Sequence, residues 1–328
     1  MMKQFSYRHA KESQLMDHMK ESDLFTFAEF KEEEAERTGY SNYSYWKSTI
    51  QAFFKNRGAV VLLVFLILLL IFTFIQPYLP GQYDPNKILN DANGMHYRNV
   101  PPGKVFLLGT NSIGQDLWAR IWAGTRTSLL IGILVTIAEA IIGISVGVIW
   151  GYVRKVDFIL TEIYNIIDNI PNTIILILIS YILKPSVQTL VFAMCLTGWI
   201  QMARFIRNQI LIIRDRDYNV ASRCLGTPTG RIIVKNLLPY LVSVIMLRMA
   251  LTIPAAIGNE VFITYIGLGL PVDIPSLGNL INEGRVLITS AALRYQLIYP
   301  TIILSFVTIS FYIIGNAFSD AADPKNHV

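Results

Sequence analysis

Charge is scarce in this chain. Only 16% of its 328 residues are Asp, Glu, Lys or Arg, against about 25% in an ordinary soluble domain, and 53% are apolar. With a mean hydropathy of +0.44, that balance indicates a membrane protein. Cysteine is rarer still. Cys195 falls in an apolar run and Cys224 in a basic loop, and neither placement suits a structural disulfide. His9, His18, His96 and His327 are scattered over tails and a loop, so no His, Cys or carboxylate cluster has metal-ligand spacing. No Gly-x-x-x-x-Gly-Lys-Ser/Thr run occurs, which leaves the chain without a phosphate-cradling loop. The nearest run, Gly226 to Arg231, lacks the lysine. No Ser or Cys nucleophile has a His base beside it in the apolar runs. The chain is therefore read as non-catalytic, with no cofactor of its own. Its net charge of +5 lies beside apolar runs and not on one basic face, which is the positive-inside pattern instead of a nucleic-acid footprint.

What is present is a series of long apolar runs. No cleaved leader is expected, because the first run starts only near Gly58 and is too long for one. Residues 1–57 read as a cytoplasmic tail ending in an interfacial segment, and residues 58–328 as a six-helix domain. In the tail, Leu24, Phe25, Phe27 and Phe30 allow a short amphipathic helix, and a solvated tail is the plainer reading. Tyr43, Tyr45 and Trp46 with Lys47, Lys55 and Arg57 look like an interfacial belt. Ala59 to Ile75 is apolar on every side and is expected to face lipid. Residues 77 to 125 form an outer segment rich in turn signals.

The second span, Leu129 to Trp150, carries Gly132, Gly143 and Gly147 for close helix contact and Glu139 near its centre. One acid there costs about 2.5 to 3.5 kcal/mol, and each strongly apolar neighbour returns about 0.3 to 0.6 kcal/mol. The span tolerates it, and both packing support and a polar pathway fit. Ile159 to Leu183 is the third span, broken at Asp168-Asn169-Ile170-Pro171. Proline pushes its predecessor out of the helical region and leaves a carbonyl unpaired, which a membrane tolerates only beside protein or a cavity. Val187 to about Ala203 is the fourth. Arg204, Arg207, Arg214 and Arg216 follow it and mark the next loop, residues 204–239, as cytoplasmic. The fifth runs to about Ile266 with Arg248, Pro254 and Glu260 inside it. Arg248 and Glu260 are too far apart along one helix to pair, so each needs a partner elsewhere. The sixth covers Leu297 to about Phe318, so both termini are expected in the cytoplasm.

The basic loop between the fourth and fifth spans has its own helical pattern. Tyr218, Ala221 and Leu225 recur at i, i+3 and i+7, giving one apolar stripe, and Ala221 and Ser222 keep the helix thin. Gly226 suits the left-handed residue that ends a helix, and Thr227 is expected to cap a second helix with Pro228 at its first position. A small-side-chain surface of this kind is what a mechanical partner grips. By composition alone it is also an ordinary basic loop.

This stretch resembles the Glu-Ala-Ala loop of ABC importer permeases, through Ala221, Gly226, Leu238 and Pro239. Ser222 replaces the second alanine, and Val220 stands where the glutamate would be, a departure that bears on one polar contact and not on the docking itself. Gly109-Thr110-Asn111, Gly114-Gln115-Asp116 and Gly124-Thr125-Arg126-Thr127-Ser128-Leu129 are similar to signatures of the dipeptide and oligopeptide permease branch, with Asn111 for the acid and Gln115 for the arginine. Asp157 through Asp168 to Pro171 also resembles the family's pattern. Glu260 with Thr264-Tyr265-Ile266-Gly267-Leu268-Gly269 and Pro275-Ser276-Leu277-Gly278 is the most specific match, and Asp320-Ala321-Ala322-Asp323-Pro324 closes the chain as the family does. The resemblance spans roughly residues 40 to 326.

It implies an all-α membrane protein of six transmembrane helices with the type I ABC importer permease fold, multi-pass in the cell membrane. It also implies the job of a permease subunit of an ATP-driven importer of dipeptides or oligopeptides. The partners would be a second homologous permease, two ABC ATPase subunits carrying ATP and Mg, an extracytoplasmic substrate-binding protein and the lipid bilayer. Tyr218, Ala221, Ser222, Arg223, Leu225, Gly226 and Pro239 are the coupling candidates. Glu139, Asp168, Pro171 and Glu260 are candidates for the pathway or its gate, with helix packing an equal role for Glu260. A stand-alone carrier driven by protons through Glu139, Asp168 and Glu260 is the competing class, although no internal repeat is evident. An importer of nickel or glutathione is the variant within the family.

Overall fold

A computed structural model describes residues 45–322 of the chain. The expectations for the tail before Tyr45, and for Asp323 and Pro324, lie outside these residues, as do the side chains of Tyr45, Trp46 and Lys47. The described elements are helical, with two isolated β-bridges, Asn90 to His96 and Thr110 to Asp116, in the segment between the first two long helices. From Thr49 on, the chain is one unit.

Helix α1 (Tyr45–Lys55) leads into α2 (Arg57–Ile75), which starts where the Asn56 side chain accepts from Ala59 N at 3.2 Å and ends in a tight turn at Gln76–Tyr78. Val61, Val64, Phe65, Leu68 and Phe74 of α2 are exposed on the chain's surface, the lipid-facing helix its uniform apolarity predicts. Helix α3 (Leu117–Tyr152) is followed by α4 (Arg154–Asp168) and α5 (Asn172–Ile182), then by α6 (Val187–Ile213). After the short α7 (Asp217–Cys224) comes α8 (Thr229–Tyr265), then α9 (Leu277–Arg285) and α10 (Tyr295–Ala322). Five of these helices are long and apolar enough to cross a membrane, and the pair α4 and α5, bent by 72°, makes a sixth span if counted together. The bend falls at Asn169 to Pro171, where the sequence predicts the break.

Several boundaries differ from the expectation, and α4 for one begins at Arg154 and not at Ile159. Helix α3 begins at Leu117, not Leu129, because Asp116 caps it through Ala119 N at 2.9 Å. Polar residues that suggested a loop find partners on neighbouring elements: Arg126 donates to Thr73 O of α2 at 2.6 Å, and Arg120 is held by side chains described below. At 36 residues α3 is about 54 Å long, well beyond the roughly 30 Å of hydrocarbon. Helix α6 continues to Ile213, so Arg204 and Arg207 lie on it and not in the loop. Arg207 pairs there with Asp157 of α4 at 2.6 Å. Pro228 itself is the residue before the second loop helix, which begins at Thr229, and Thr227 does not cap it. The helix starts one residue later than expected, so the cap position falls to Pro228, which has no side-chain acceptor.

Within α8 the stretch Ile233–Leu237 widens into a π turn. Pro239 follows it. A proline cannot donate to the carbonyl four residues back and crowds it, and the widened turn makes room.

The core seam joins α3 to α6. A Cβ at Gly147 would lie 2.5 Å from Ala203 O, and one at Gly143 would lie 2.5 Å from Met202 Cβ, so the backbones meet with only hydrogen between them, as the small-residue spacing predicts. Ile206, Ile210 and Ile213 of α6 then bury against α3 and the start of α8. Because Gly147 faces backbone, which cannot swing aside, Gly147→Leu is expected to lower stability by about 1–3 kcal/mol through overpacking. Thermal unfolding in detergent checks this, and an unchanged melting temperature would show that the seam is not tight.

Candidate functional site

The loop between α6 and α8 forms a helical hairpin. Gly226 adopts φ +75°, the left-handed conformation that a side chain disfavours. Gly226 N donates to Arg223 O at 3.0 Å and Thr227 N to Ser222 O at 3.1 Å, the paired main-chain bonds that close a helix end around such a glycine. The hairpin is fixed to the bundle by amides. Asn219, fully buried, donates to Ile213 O at 2.9 Å, and Asn236 of the π turn donates to Asn219 Oδ1 at 3.1 Å. Ser222 is half-buried and donates to Tyr218 O at 2.8 Å.

The stripe read from the sequence points away from the bundle. Leu225 is 85% exposed, Tyr218 48% and Val220 39%, and Ala221 and Gly226 are exposed beside them. Arg223 pairs on the surface with Asp215, at 3.1 Å, which Arg214 also holds at 3.1 Å. Those two guanidinium hydrogen bonds, Arg223's the larger, hold the Asp215 carboxyl below its usual range. Pro239 lies exposed in α8 just after the π turn, apart from the tip.

Two adjoining cavities lie further along α6. The first, about 210 Å³, is lined by Glu139 of α3, Asn172 of α5, Gly198 and Gln201 of α6, and Arg248 and Asn259 of α8. The second, also about 210 Å³, is lined by Asp168, Pro171, Asn172, Thr197, Gly198 and Gln201. They share Asn172, Gly198 and Gln201. Asp168 is drawn to α6: it accepts from Gln201 Nε2 and from Tyr164 OH, both at 2.5 Å, with Arg204 at 3.8 Å. Across the bend, Thr197 donates to Asn172. The polar break is thus laced to α6 by side chains.

The structure therefore brings Glu139, Asp168 and Pro171 together and leaves Glu260 apart. Glu260 lines neither cavity and is fully buried. Its carboxyl accepts from Ser276 Oγ at 2.7 Å, Ser128 Oγ at 3.0 Å and Thr264 Oγ1 at 3.2 Å. Ser128 Oγ in turn accepts from Leu277 N at 3.1 Å. A Cβ at Gly278 would lie 2.5 Å from Glu260 Oε1, so the glycine lets the carboxyl reach the start of α9. Glu260 staples α9 to α3 and α8, the packing role of the two considered.

A second buried cluster was not anticipated. Arg120, 0% exposed, donates to Gln115 Oε1 at 2.6 Å and pairs with Glu283 of α9 at 2.8 Å. Asn111 Nδ2 donates to the same Gln115 oxygen at 2.9 Å. Asn111 and Gln115 are the two departures from the resembled signature, acid and base. In this chain they form a bonded amide pair. Asp116, beside them, has its carboxyl raised by burial, offset by the backbone N–H groups of Ala119 and Trp118. Arg248 carried a signal, an intramembrane charge without a partner on its own helix. Gly198 carried none. Among the described residues no three of His, Cys, Asp and Glu come together as a metal site.

Comparison with known proteins agrees along the chain. Residues 143–328 match the family described as binding-protein-dependent transport system inner membrane component, and residues 44–102 match the N-terminal TM domain of oligopeptide transport permease C. The oligopeptide transport system permease protein AmiD of Streptococcus pneumoniae is 40% identical over 285 residues, 87% of this chain and 91% of that protein. The dipeptide transport system permease protein DppC of Bacillus subtilis is 32% identical over 304 residues, covering 92% and 93%. Among solved structures, an inward facing MetNI methionine ABC transporter matches with a TM-score of 0.50 at 20% identity, over 62% of this chain and 96% of that one. That likeness speaks for the fold.

Two outcomes follow from these contacts. Glu260→Ala strands the Ser128 and Ser276 hydroxyls in the core and should cost about 2 kcal/mol or more, at roughly 1–3 kcal/mol per stranded group. Glu260→Gln, which keeps an acceptor, should cost less; equal melting temperatures for Glu260→Ala and the parent would sink the staple. Asp215, with its folded pKa depressed, contributes stability that is present above the ordinary carboxylate range and lost as pH falls through the lower folded value. Amide protection factors at Asp217–Cys224, which remove the intrinsic pH dependence of exchange, should therefore fall at acid pH, and Asp215→Asn should show the lowered protection already at neutral pH.

Proposed function

The chain belongs to the family of binding-protein-dependent transport system inner membrane components, and from that premise we propose that it carries short peptides as one permease of an ATP-driven importer. It is a non-catalytic subunit, and hydrolysis belongs to separate ATPase subunits. The observation that carries the mechanical part of this reading is the exposed apolar tip of the hairpin. Leu225, Tyr218 and Val220 stand in solvent on a helix whose end is closed by its own main chain. Exposed apolar groups clustered on a rigid element mark a partner surface. The partner proposed is a cytoplasmic ABC ATPase, one of two that bind ATP and Mg. A second homologous permease and an extracytoplasmic substrate-binding protein complete the assembly.

The same reading sets the orientation, with the arginine-rich hairpin and both termini in the cytoplasm and residues 58–328 as the permease domain. Its mechanism is alternating access. The α6 helix runs unbroken from the cavity wall at Gly198 and Gln201 to Ile213, just ahead of the hairpin. The glycine seam obliges α3 to travel with it. A displacement of the hairpin as the ATPases close is thereby delivered to both cavities, and the bend at Asp168 and Pro171, laced to α6, is the joint that yields. Peptide as the cargo is supported by the relatives named above, which are oligopeptide and dipeptide permeases.

Leu225→Glu and Ala221→Trp change exposed positions and should leave the bundle folded. Each is expected to weaken ATPase capture by about 30-fold, the size of a 2 kcal/mol hot spot, and to abolish ATP-driven peptide uptake in proteoliposomes. Pull-down of the whole complex from its membrane measures the first effect. Retention of the ATPase subunits by both variants would show that the tip is not the docking surface.

A further inference from the structure

Glu139 and Arg248, an acid and a base, line one cavity, and neither has an ion-pair contact among the described residues. Both line the same space of about 210 Å³. Among the described residues, Glu139 accepts no hydrogen bond and makes no salt bridge; Arg248 is its electrostatic neighbour without contact. Apart from that neighbour, the contact of the Arg248 guanidinium among the described residues is the Phe205 ring, 5.9 Å away. Uncompensated charges at membrane depth are costly, and where they persist they mark ligand pathways. Two groups kept only to cancel each other would be in contact.

The room for the carboxyl is built in. A methyl group at Gly198 would overlap the Glu139 carboxyl, so glycine there lets the acid lie across α6. The remaining polar wall is Asn172, Gln201, Thr252 and Asn259, side chains that both donate and accept. A carboxylate, a guanidinium and neutral amides around one small cavity form the chemical negative of a zwitterion with an amide between its charges. We propose that Glu139 takes the α-ammonium group and Arg248 the terminal carboxylate of a dipeptide-sized peptide during its passage. Arg248 supplies the two parallel donors that suit a carboxylate. The proposal rests on the peptide-importer reading and adds to it a site in the permease that reads peptide ends.

The test is equilibrium binding of labelled dialanine, N-acetyl-dialanine and dialanine amide to the whole solubilised complex without its binding protein. Removing one charge-assisted bond should weaken dialanine by about tenfold or more. Glu139→Gln should do so while leaving N-acetyl-dialanine unchanged, and Arg248→Gln should do so while leaving dialanine amide unchanged. Gly198→Ala, which alters no charge, should reproduce the Glu139→Gln pattern by displacing the carboxyl. Co-purification of the partner subunits with each variant verifies assembly.

Equal loss of all three ligands in the variants, or a parent complex that does not distinguish free from capped peptide, overturns the site. ATP-driven uptake of dialanine separates the two readings. Uptake by a complex that binds free and capped peptide alike leaves the importer standing and removes the site. Failed uptake removes the importer and, with it, this proposal.

Discussion

The proposed motion depends on one close backbone contact, the seam where Gly143 and Gly147 of α3 meet Met202 and Ala203 of α6. Lipid tails are as apolar as leucine, so helices in a bilayer gain little from hydrophobic contrast and must associate by fit. Glycine on α3 supplies that fit, and two long helices become one body. The cavity wall at Glu139 and Gly198 sits at one level of this body, and the root of the hairpin at Ile213 sits at its end. A cavity and a handle on separate helices would need a transmission between them. Here they share a shaft.

The polar groups sort by whether they have partners. Glu260 with its three hydroxyls is buried and satisfied, and Arg120 is buried with Gln115 and Glu283 on its terminal nitrogens while its Nε has no partner among the described residues; such networks fix an arrangement. Both clusters hold α9 against the ends of α3 and α8, at the side of the fold away from the hairpin. Asp168 has several partners, all from its own helix or α6, which suits a joint that must bend without exposing its broken backbone to lipid. Glu139 and Arg248 face a shared cavity with no hydrogen bond or ion pair to their side chains among the described residues.

Much of this was legible from residues. The apolar runs located the long helices because length and composition decide membrane crossing, and Pro171 located the bend because its ring admits no alternative. Gly226 marked the hairpin turn for the same kind of reason, a backbone state that few residues adopt. Where the reading failed, the missing information was three-dimensional. Residues 117–128 look like a loop because arginines and threonines interrupt the apolar pattern, and their helix stands only because Thr73, Gln115 and Glu283 arrive from elsewhere to satisfy them. Glu139 and Glu260 are equally buried acids by sequence, and nothing local distinguishes the one surrounded by hydroxyls from the one facing a cavity. The choice between an importer permease and a proton-driven carrier was likewise made by relatives, since isolated acids suit both.

The closure of the hairpin at Gly226 separates two kinds of inheritance. Its turn is made by main-chain bonds, and its attachment to the bundle rests on the two asparagines, Asn219 and Asn236. The tip residues contribute to neither. Selection on partner choice can therefore rewrite Tyr218, Val220, Ala221 and Leu225 while selection on folding is blind to the change. Side chains at these exposed positions can therefore change, as Val220 does in standing where the resembled loop has an acid, without disturbing the bonds that fold the hairpin.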